Sequence, residues 1–300
     1  MSRLRDNVNL GPKGLRDLLK QKYVMAPGVF NGISAIIAER AGFQAGYLSG
    51  SGVAGVMGLP DLSVTTMDEV ISDLKKIVSI SKLPIIVDVD TGFGETINVI
   101  RTVRAMESNG AAAIHIEDQE LPKKCGHLPG KKLIPEEEMV KKIIAATEAR
   151  KNPDFMIIAR TDARAVEGFE GAVRRGKLYL EAGADMIFIE ALQTRDEFIE
   201  YAKQVSPLLA NMTEFGKSPL LSAKELGEMG YKIIIFPLTA FRASLLTMEN
   251  IYSELKEKES QTSFIDKLMS RERFYEIIGY KDYEEEDKIL SMKKIDLKKS

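Results

Sequence analysis

The strongest constraint on the fold is an eightfold alternation of short apolar segments with longer amphipathic segments. The apolar segments are residues 24–29, 45–50, 83–90, 112–118, 155–162, 185–191, 207–213 and 232–238. Most are continuously apolar, which is typical of parallel strands covered on both faces. The intervening segments predict helices at residues 33–41, 66–81, 96–109, 136–150, 169–182, 195–205, 222–229 and 240–259. Eight successive strand–helix units predict an α/β fold, the (β/α)8 TIM barrel.

Glycines at the helix ends support this repeating unit. Four predicted helices are followed by a glycine shortly before an apolar strand: Gly42, Gly110, Gly183 and Gly230. Glycine just after a helix tolerates the left-handed conformation that turns the chain back towards the sheet. A doubly wound sheet is the alternative, but it rarely needs eight units and requires a switch point in strand order. We therefore expect the barrel.

The 300 residues suit one barrel domain, because this fold commonly uses about 250 residues. We place the barrel at about residues 20–260, a helical extension at 261–285 and a charged tail at 286–300. Apolar residues at helical spacing between 263 and 278 predict one or two extra helices, packed on the barrel or on another subunit. The charged tail is expected to be a loose, solvated segment.

Composition excludes several classes of function. Lys and Arg total 42 against 44 Asp and Glu, so no basic excess favours nucleic acid or an anionic membrane as a partner. No apolar run approaches the ~18 residues of a membrane span, and the first residues lack a secretory signal, so a cytoplasmic enzyme is expected. The single cysteine allows neither an intramolecular disulfide nor a Cys-rich zinc site. A bound metal would therefore use oxygen ligands.

Carboxylates follow the predicted third and fourth strands, at the end of the barrel where TIM-barrel enzymes carry their active sites. Asp88 and Asp90 are two residues apart and so face the same side. Such carboxylates repel each other unless a cation lies between them, which predicts a divalent metal held partly through water. The alternative is that one aspartate caps the following turn or helix. Glu117 could hold a metal-bound water or orient a neighbour, whereas His115 is expected to be a core residue.

Residues 119–134 form an unusually long connection, since loops at this position commonly contain about two to six residues. The segment carries the only cysteine, one of the two histidines and four lysines, which predicts a lid that closes on an anionic substrate. Cys125 lies between Lys124 and His127, and local positive charge is expected to lower the pKa of its thiol and make it reactive. The alternative is that Cys125 is a small core residue.

Further groups that could bind anions follow other strands. Arg160 suits bidentate binding of a carboxylate. Asn211 and Thr213 lie on one face of the seventh strand, and residues 49–51 supply hydroxyl and backbone N–H groups after the second strand. Together with the predicted metal and the lysine-bearing lid, these groups predict a pocket for a small polyanion.

These residues fall in motifs that resemble the isocitrate lyase / phosphoenolpyruvate mutase superfamily over about residues 14–285. The motifs are YLSGSG (47–52), GLPD (58–61), VDVDTGFG (87–94), HIEDQ (115–119), KKCGH (123–127), ARTD (159–162) and NMTEFG (211–216). The KKCGH motif is the most specific, because it marks the lyase branch and is absent from the mutases, hydrolases and oxaloacetate decarboxylases of the superfamily. The short chain is similar to the methylisocitrate lyases of that branch, since isocitrate lyases carry large insertions.

The resemblance implies a Mg²⁺-dependent retro-aldol cleavage of 2-methylisocitrate to pyruvate and succinate, a step of the methylcitrate cycle of propionate catabolism, with Mn²⁺ as the alternative metal. Asp88 and Asp90 would form the metal site, and Cys125 would protonate the succinate carbanion. The base that takes the substrate hydroxyl proton is either Tyr47, the first candidate, or Glu117. The implied catalytic residues are Cys125, Tyr47, Glu117, Lys123 and His127. The implied substrate contacts are Ser49, Gly50, Ser51, Gly126, Arg160, Glu190, Asn211, Thr213, Arg242 and Arg271.

The resemblance also implies the partners. The substrate is a small tricarboxylate, and the barrels form a homotetramer in which neighbours exchange the region of the eighth helix. That exchange would account for the extra apolar helices at 240–278.

Two departures from the family pattern leave the substrate open. Leu128 follows KKCGH where methylisocitrate lyases usually have arginine, and Ser51 replaces a commoner glycine. Cleavage of isocitrate to glyoxylate and succinate is therefore an alternative activity.

Three further classes of protein compete with the lyase interpretation. They are an oxaloacetate decarboxylase or hydrolase of the same superfamily, a Schiff-base aldolase that uses Lys123 or Lys124, and a non-enzymatic relative. The Cys-containing lid argues against the first, and the polar position of the two lysines argues against the second, because a Schiff-base lysine is usually buried on a strand. The complete set of polar residues at the strand ends argues against the third.

Overall fold

Eight parallel strands alternate with helices in the computed structural model, which describes residues 8–293. The strands are β1 (Val24–Pro27), β2 (Gly46–Leu48), β3 (Ile85–Asp88), β4 (Ala113–Glu117), β5 (Met156–Thr161), β6 (Met186–Ile189), β7 (Leu208–Asn211) and β8 (Tyr231–Phe236). The helices are α1 (Gly11–Leu18), α2 (Gly32–Arg40), α3 (Gly50–Val56), α4 (Met67–Val78), α5 (Thr96–Ser108), α6 (Glu136–Ala149), α7 (Gly168–Glu181), α8 (Arg195–Gln204), α9 (Ala223–Met229), α10 (Thr239–Lys258), α11 (Arg271–Ile278) and α12 (Tyr280–Ser291).

The strands form a nearly closed barrel, as the sequence predicts. All neighbours pair in parallel in the order β1-β8-β7-β6-β5-β4-β3-β2. The two ends of this order meet at a parallel bridge between Gly28 and Tyr47, where the N–H of Val29 donates to the carbonyl of Tyr47 at 2.9 Å. The fold is therefore the predicted TIM barrel.

Two apolar layers hold the barrel together. The outward faces of the strands pack against the surrounding helices, with residues such as Ile114 and Ile157 fully buried. The inward faces form a second cluster inside the barrel, where Ile158 and Phe188 pack together with Leu15 of α1. The site described below thus lies above a packed core.

The predicted strands and barrel helices agree closely with the observed bounds. The four junction glycines have positive φ angles, 92° at Gly42, 91° at Gly110, 103° at Gly183 and 106° at Gly230. These are the left-handed conformations expected where each helix turns back to the sheet. The second strand, predicted at 45–50, ends earlier at Leu48, and the unpredicted short helix α3 begins at Gly50 with Ser49 as its N-cap.

The described chain divides into two compact units, with the boundary inside α10. One unit is Asn9–Ala243, and the other contains Val8 and the described residues from Ser244 onward. The assignment of residues 1–300 to one domain stays a prediction.

The second unit contains a 3-10 helix (Thr262–Lys267) and α11, in agreement with the extra helices predicted at 263–278, and also α12, which lies beyond that range. The prediction of a loose tail at residues 286–300 is partly wrong. The helix α12 continues to Ser291, so residues 286–291 are helical rather than loose. Asp282 in the first turn and Lys288 in the last turn complement the helix dipole and favour this extension. Residues 294–300 of the predicted tail lie outside the described residues. In the described part of the chain, no helix combines the length and apolar character needed to cross a membrane.

Candidate active site

The site consists of side chains that continue the inward-facing rows of the barrel. Alternate residues of a strand face the same side, and Ile86 and Phe188 belong to the apolar interior. Two residues further along the same strands, the inward positions are Asp88 and Glu190, which are buried charged residues. Because every second side chain of a strand faces inward, the inward-facing polar residues lie together at the carboxyl ends of the strands, as the sequence predicts.

Asp88 and Asp90 converge next to the first turn of α3. The N–H of Gly50 donates to Asp88 Oδ2 at 3.0 Å. A Cβ at residue 50 would lie 3.1 Å from Asp88 Oδ2 and 3.4 Å from Asp90 Oδ1, so both carboxylates approach the same point. Asp90 has a φ of 48°, a conformation that is uncommon for residues other than glycine and often found at functional sites.

Lys123 joins the KKCGH motif to these carboxylates. Its Nζ lies 2.8 Å from Asp90 Oδ1 and 2.5 Å from Asp61 Oδ1. Burial lowers the pKa of Lys123, but the charges of Glu117 and the aspartates outweigh burial and raise the pKa well above its ordinary value. The amine is therefore protonated at neutral pH, which argues against a Schiff-base mechanism through Lys123.

Buried carboxylate oxygens near this point fit a divalent cation. Asp90 Oδ1 lies 2.8 Å from Lys123 Nζ and Glu117 Oε2 lies 3.2 Å from Arg160 Nε, whereas Glu117 Oε1 is buried without a hydrogen-bond partner. Among the described residues, no group of three His, Cys, Asp or Glu side chains is arranged to hold a metal directly. Two carboxylates such as Asp88 and Asp90 are a donor set that fits a cation such as Mg²⁺, which takes one or two carboxylates and keeps several waters.

The three carboxylates differ in how easily they ionise. Burial raises the pKa of Asp90 and of Glu117, and for Glu117 the rise is large despite the Arg160 charge. Burial also opposes ionisation of Asp88, but the charges of His115, Lys123 and Arg160 outweigh it and hold the pKa of Asp88 below its ordinary value. Asp88 is therefore a carboxylate at neutral pH and offers a permanent negative charge.

Tyr47 and His115 form a buried pair behind the carboxylates. The Tyr47 hydroxyl lies 2.7 Å from His115 Nε2 and 3.5 Å from Asp88 Oδ2. Burial lowers the pKa of His115 to about 4, so its imidazole is neutral at neutral pH. Burial raises the pKa of Tyr47 well above 10, so the phenol keeps its proton. His115 is fully buried, in agreement with its predicted place in the core.

The loop at 119–134 is folded against the barrel. An antiparallel bridge between Gln119 and Leu133 closes its base. The Gln119 side chain makes two 2.9 Å hydrogen bonds to the backbone of Lys124, and Lys131 Nζ lies 2.8 Å from Asp162 Oδ1. The predicted lid is thus held over the ends of β4 and β5.

Cys125 lies in this loop and is half-buried. Burial raises the pKa of its thiol, although the backbone N–H of His127 acts in the opposite direction. The expectation of a lowered thiol pKa is therefore wrong, because desolvation outweighs the local positive charge. The thiol keeps its proton at neutral pH, which is the form that a proton donor needs.

Arg160 is the central cation of the site. Its Nε lies 3.2 Å from Glu117 Oε2 and 3.0 Å from Asp162 Oδ2, and Nη2 lies 3.4 Å from Glu190 Oε2. Burial lowers the pKa of Arg160, but these carboxylates outweigh burial and raise it well above its ordinary value. The Asn211 amide donates to Glu190 Oε2 at 3.2 Å. These contacts fix the guanidinium where it can meet a carboxylate of a bound ligand.

A cavity of about 120 Å³ brings most of the predicted residues together. Its lining is Tyr47, Ser49, Ser51, Asp61, Asp88, Lys123, Cys125, Gly126, His127, Arg160, Glu190, Asn211, Thr213, Pro237, Leu238 and Arg242. Gly50, Asp90 and Glu117 contact lining residues from behind. Arg271 begins α11 in the second unit, and its assignment stays a prediction.

The cavity lining also includes Asp61, Pro237 and Leu238, which the sequence patterns did not predict as site residues. Asp61 ends the GLPD motif, which was the available signal. Pro237 and Leu238 follow β8 and supply an apolar wall, and nothing in an apolar run distinguishes such residues from the core.

Comparison with known proteins agrees with this geometry. The chain belongs to the phosphoenolpyruvate phosphomutase family, whose model matches residues 15–256. It is 56% identical over 281 residues to the 2-methylisocitrate lyase of Aeropyrum pernix, covering 93% of this chain and 91% of that protein. Curated relatives at 43–56% identity carry the same name. The resemblance stated from the motifs is confirmed.

Solved structures of the family have the same fold. The crystal structure of 2,3-dimethylmalate lyase, a member of the PEP mutase/isocitrate lyase superfamily, is 36% identical with a TM-score of 0.88, covering 97% of this chain and 99% of that chain. Phosphonopyruvate hydrolase, solved in complex with oxalate and Mg²⁺, is 30% identical with a TM-score of 0.83, covering 95% and 98%. A divalent metal thus occurs in the superfamily.

Proposed function

We propose that this protein is a carbon–carbon lyase that cleaves 2-methylisocitrate to pyruvate and succinate. The observation that carries the proposal is the cavity whose lining combines a protonated thiol, that of Cys125, with the buried carboxylate of Asp88 and the buried guanidinium of Arg160. Relatives with 43–56% identity are named for this activity. The substrate is a small tricarboxylate, and the cavity offers cations and polar donors for each of its ends.

Asp88 and Asp90 would hold a divalent cation, with Mg²⁺ as our assignment and Mn²⁺ as the alternative. A cation bound there supplies Lewis-acid stabilisation of negative charge that develops on substrate oxygens. Lys123 keeps Asp90 in place through its 2.8 Å contact, and the N–H of Gly50 orients Asp88. Lys123 and Gly50 thus hold the two carboxylates in the positions that cation binding needs.

The remaining carboxylates of the substrate would be bound by the opposite wall. Arg160 offers a fixed guanidinium, and the polar lining supplies further donors. The contributors that we propose are Ser49, Ser51, Gly126, Asn211, Thr213 and Arg242, with Glu190 holding Arg160. Arg271 is retained as a proposed substrate contact.

Tyr47 is our first candidate for the group that accepts the substrate hydroxyl proton. Its hydroxyl lines the cavity and lies 2.7 Å from His115 Nε2, so the pair offers a hydrogen-bonded path along which the substrate proton could leave. Glu117 is the second candidate, because its raised pKa makes it a stronger base than an ordinary carboxylate. Either group would let the carbon–carbon bond break towards a 2-oxo acid and a carbanion.

Cys125 would complete the reaction by donating its proton to the succinate carbanion. His127 fixes the adjacent backbone, since its Nε2 lies 2.9 Å from Glu190 Oε1 and its Nδ1 accepts from the N–H of Lys217 at 2.9 Å. The loop also shields the carbanion from water.

We also propose that the chain forms a homotetramer through its second unit. Described residues there expose large apolar side chains, with Leu246 59%, Tyr252 65% and Tyr283 60% exposed. Patches of this kind commonly mark protein–protein contacts. Light scattering of the purified protein gives the mass directly: four chains support the proposal and a monomer contradicts it.

The activity is tested by incubating the protein with Mg²⁺ and either 2-methylisocitrate or isocitrate, with products measured by NMR. Dominant pyruvate supports the proposal. Dominant glyoxylate would retain the fold and the lyase chemistry but assign isocitrate as substrate, with Ser51 and Leu128 as the residues to exchange. Neither product would overturn the lyase proposal and favour the oxaloacetate decarboxylase alternative.

A further inference from the structure

Lys131 is a buried lysine in the loop at 119–134. Its side chain is 1% exposed, whereas the adjacent Lys132 is exposed to solvent. Burying an ammonium group is costly in solvation unless the group is paired and hydrogen-bonded. The contacts of Lys131 must therefore offset that cost.

The Lys131 ammonium joins two parts of the site. Its Nζ lies 2.8 Å from Asp162 Oδ1 and donates a second hydrogen bond to the carbonyl oxygen of Gly126. Asp162 is fully buried at the end of β5, and its own N–H donates to Asp118 Oδ1 at 3.0 Å. The ammonium thus connects the middle of the loop to a fixed point on the barrel.

Gly126 links this contact to the thiol. It lies between Cys125 and His127, and a Cβ at this residue would lie 2.6 Å from Arg160 Nη2. The Gly126 backbone is therefore pressed against the guanidinium, whose Nε lies 3.0 Å from Asp162 Oδ2. Fixing the Gly126 carbonyl fixes the position of the neighbouring Cys125 over the cavity.

We propose that Lys131 is a positioning residue that latches the loop and sets the position of Cys125. Through Asp162, which contacts both Lys131 and Arg160, the same latch aligns the thiol with the guanidinium. The catalytic part of this inference rests on the proposed function. The inference that Lys131 sets the position of Cys125 does not depend on that function, because it concerns only how accessible the thiol is.

The first experiment measures the rate at which iodoacetamide alkylates the thiol. Cys125 is the only cysteine of the 300 residues, so the rate reports this position alone. We expect Lys131→Met to raise the alkylation rate at least several-fold, because the loop opens and the half-buried thiol becomes accessible. Lys132→Met is the matched control and is expected to alkylate at the wild-type rate.

The second experiment separates kcat from KM for 2-methylisocitrate. Displacing a reacting group by about 1 Å can cost about 100-fold in rate, so we expect a loss of this order in kcat for Lys131→Met, with a much smaller change in KM. Lys131→Arg, which keeps the charge and the donors, is expected to recover part of kcat and to alkylate more slowly than Lys131→Met. A purely structural role would not give this order of rates.

The outcomes are distinct. Equal alkylation rates in the wild type and in folded Lys131→Met would overturn the latch. If Lys131→Met does not fold, Lys131→Gln replaces it, because its amide can still donate to the buried Asp162 carboxylate while lacking the charge and reach of the lysine, and the same comparison applies. An inactive wild type would overturn the proposed lyase function, whereas the alkylation rates would still decide the latch.

Discussion

His127 Nε2 lies 2.9 Å from Glu190 Oε1, and this contact attaches the Cys125 loop to the end of β6. Because His127 Nδ1 accepts from the backbone N–H of Lys217 at 2.9 Å, Nε2 is the ring nitrogen that carries the proton next to this carboxylate. Burial opposes ionisation of Glu190, but Arg160 and His127 outweigh it and lower its pKa to about 2. The imidazole is thus held between two elements of the barrel unit.

We expect His127→Ala to lower kcat by about 10- to 100-fold with a smaller effect on KM, because the Cys125 segment loses its attachment. His127→Gln keeps an N–H donor and is expected to retain more activity than His127→Ala. Steady-state kinetics on both variants checks this order. Equal activity of the two variants, or an effect confined to KM, would contradict the role of His127 in holding the Cys125 segment.

Magnesium should stabilise the folded protein through Asp88 and Asp90. A ligand that binds only the folded state adds about 2.7 kcal/mol at 100 times its Kd, so the midpoint of thermal unfolding should rise when Mg²⁺ is added after EDTA treatment. Asp88→Asn and Asp90→Asn should each abolish most of that rise and the activity. A rise that persists in both variants would place the cation elsewhere.

Replacement of Arg160 should impair the enzyme even when the new residue is lysine, which keeps the positive charge. The guanidinium contacts Glu117, Asp162 and Glu190 at 3.0–3.4 Å, and an ammonium cannot reproduce that fork. We expect Arg160→Lys to lower kcat/KM by about 100-fold. Arg160→Ala should also lose about 3–5 kcal/mol of unfolding free energy, because it leaves buried carboxylates unpaired. Denaturant unfolding and kinetics separate the two effects, and wild-type kinetics in Arg160→Lys would refute the assignment.

His115 should make the protein less stable in mild acid. Its folded pKa is about 4, below the ~6.5 of an unfolded chain, so the unfolded state binds the proton more readily. The stabilisation is fully present above pH 6.5 and is lost as the pH falls towards 4. Unfolding free energies measured in EDTA should fall across this window in the wild type and less steeply in His115→Gln. If the unfolding free energies of the wild type and of His115→Gln fell equally with pH, a group other than His115 would be responsible for the loss of stability.

The barrel and the position of its site follow from local patterns. Continuous apolar runs such as 112–118 mark buried strands, and the spacing of Asp88 and Asp90 places both on one side. The polar strand ends and the loop at 119–134 were enough to locate the pocket. Such features depend on residues that are close in the sequence, so a single chain reveals them.

Contacts between distant residues and the effects of burial were not predictable in this way. Lys123 meets Asp61 across 62 positions, and four similar lysines in one loop give no sign that Lys131 is the latch. The thiol of Cys125 has neighbours that favour a low pKa in the sequence, but folding buries it and reverses the direction. Desolvation depends on the packed structure.

The proposed function depends on protonation by Cys125 of the carbanion that carbon–carbon cleavage releases. A single-turnover reaction with Mg²⁺ and 2-methylisocitrate in D₂O, with the products quantified by NMR and mass spectrometry, tests this step. We expect equimolar pyruvate and succinate carrying one deuterium, and a rate in Cys125→Ser lower by about 100-fold or more. Absence of these products from the wild-type reaction, or an unchanged rate in Cys125→Ser, would contradict it.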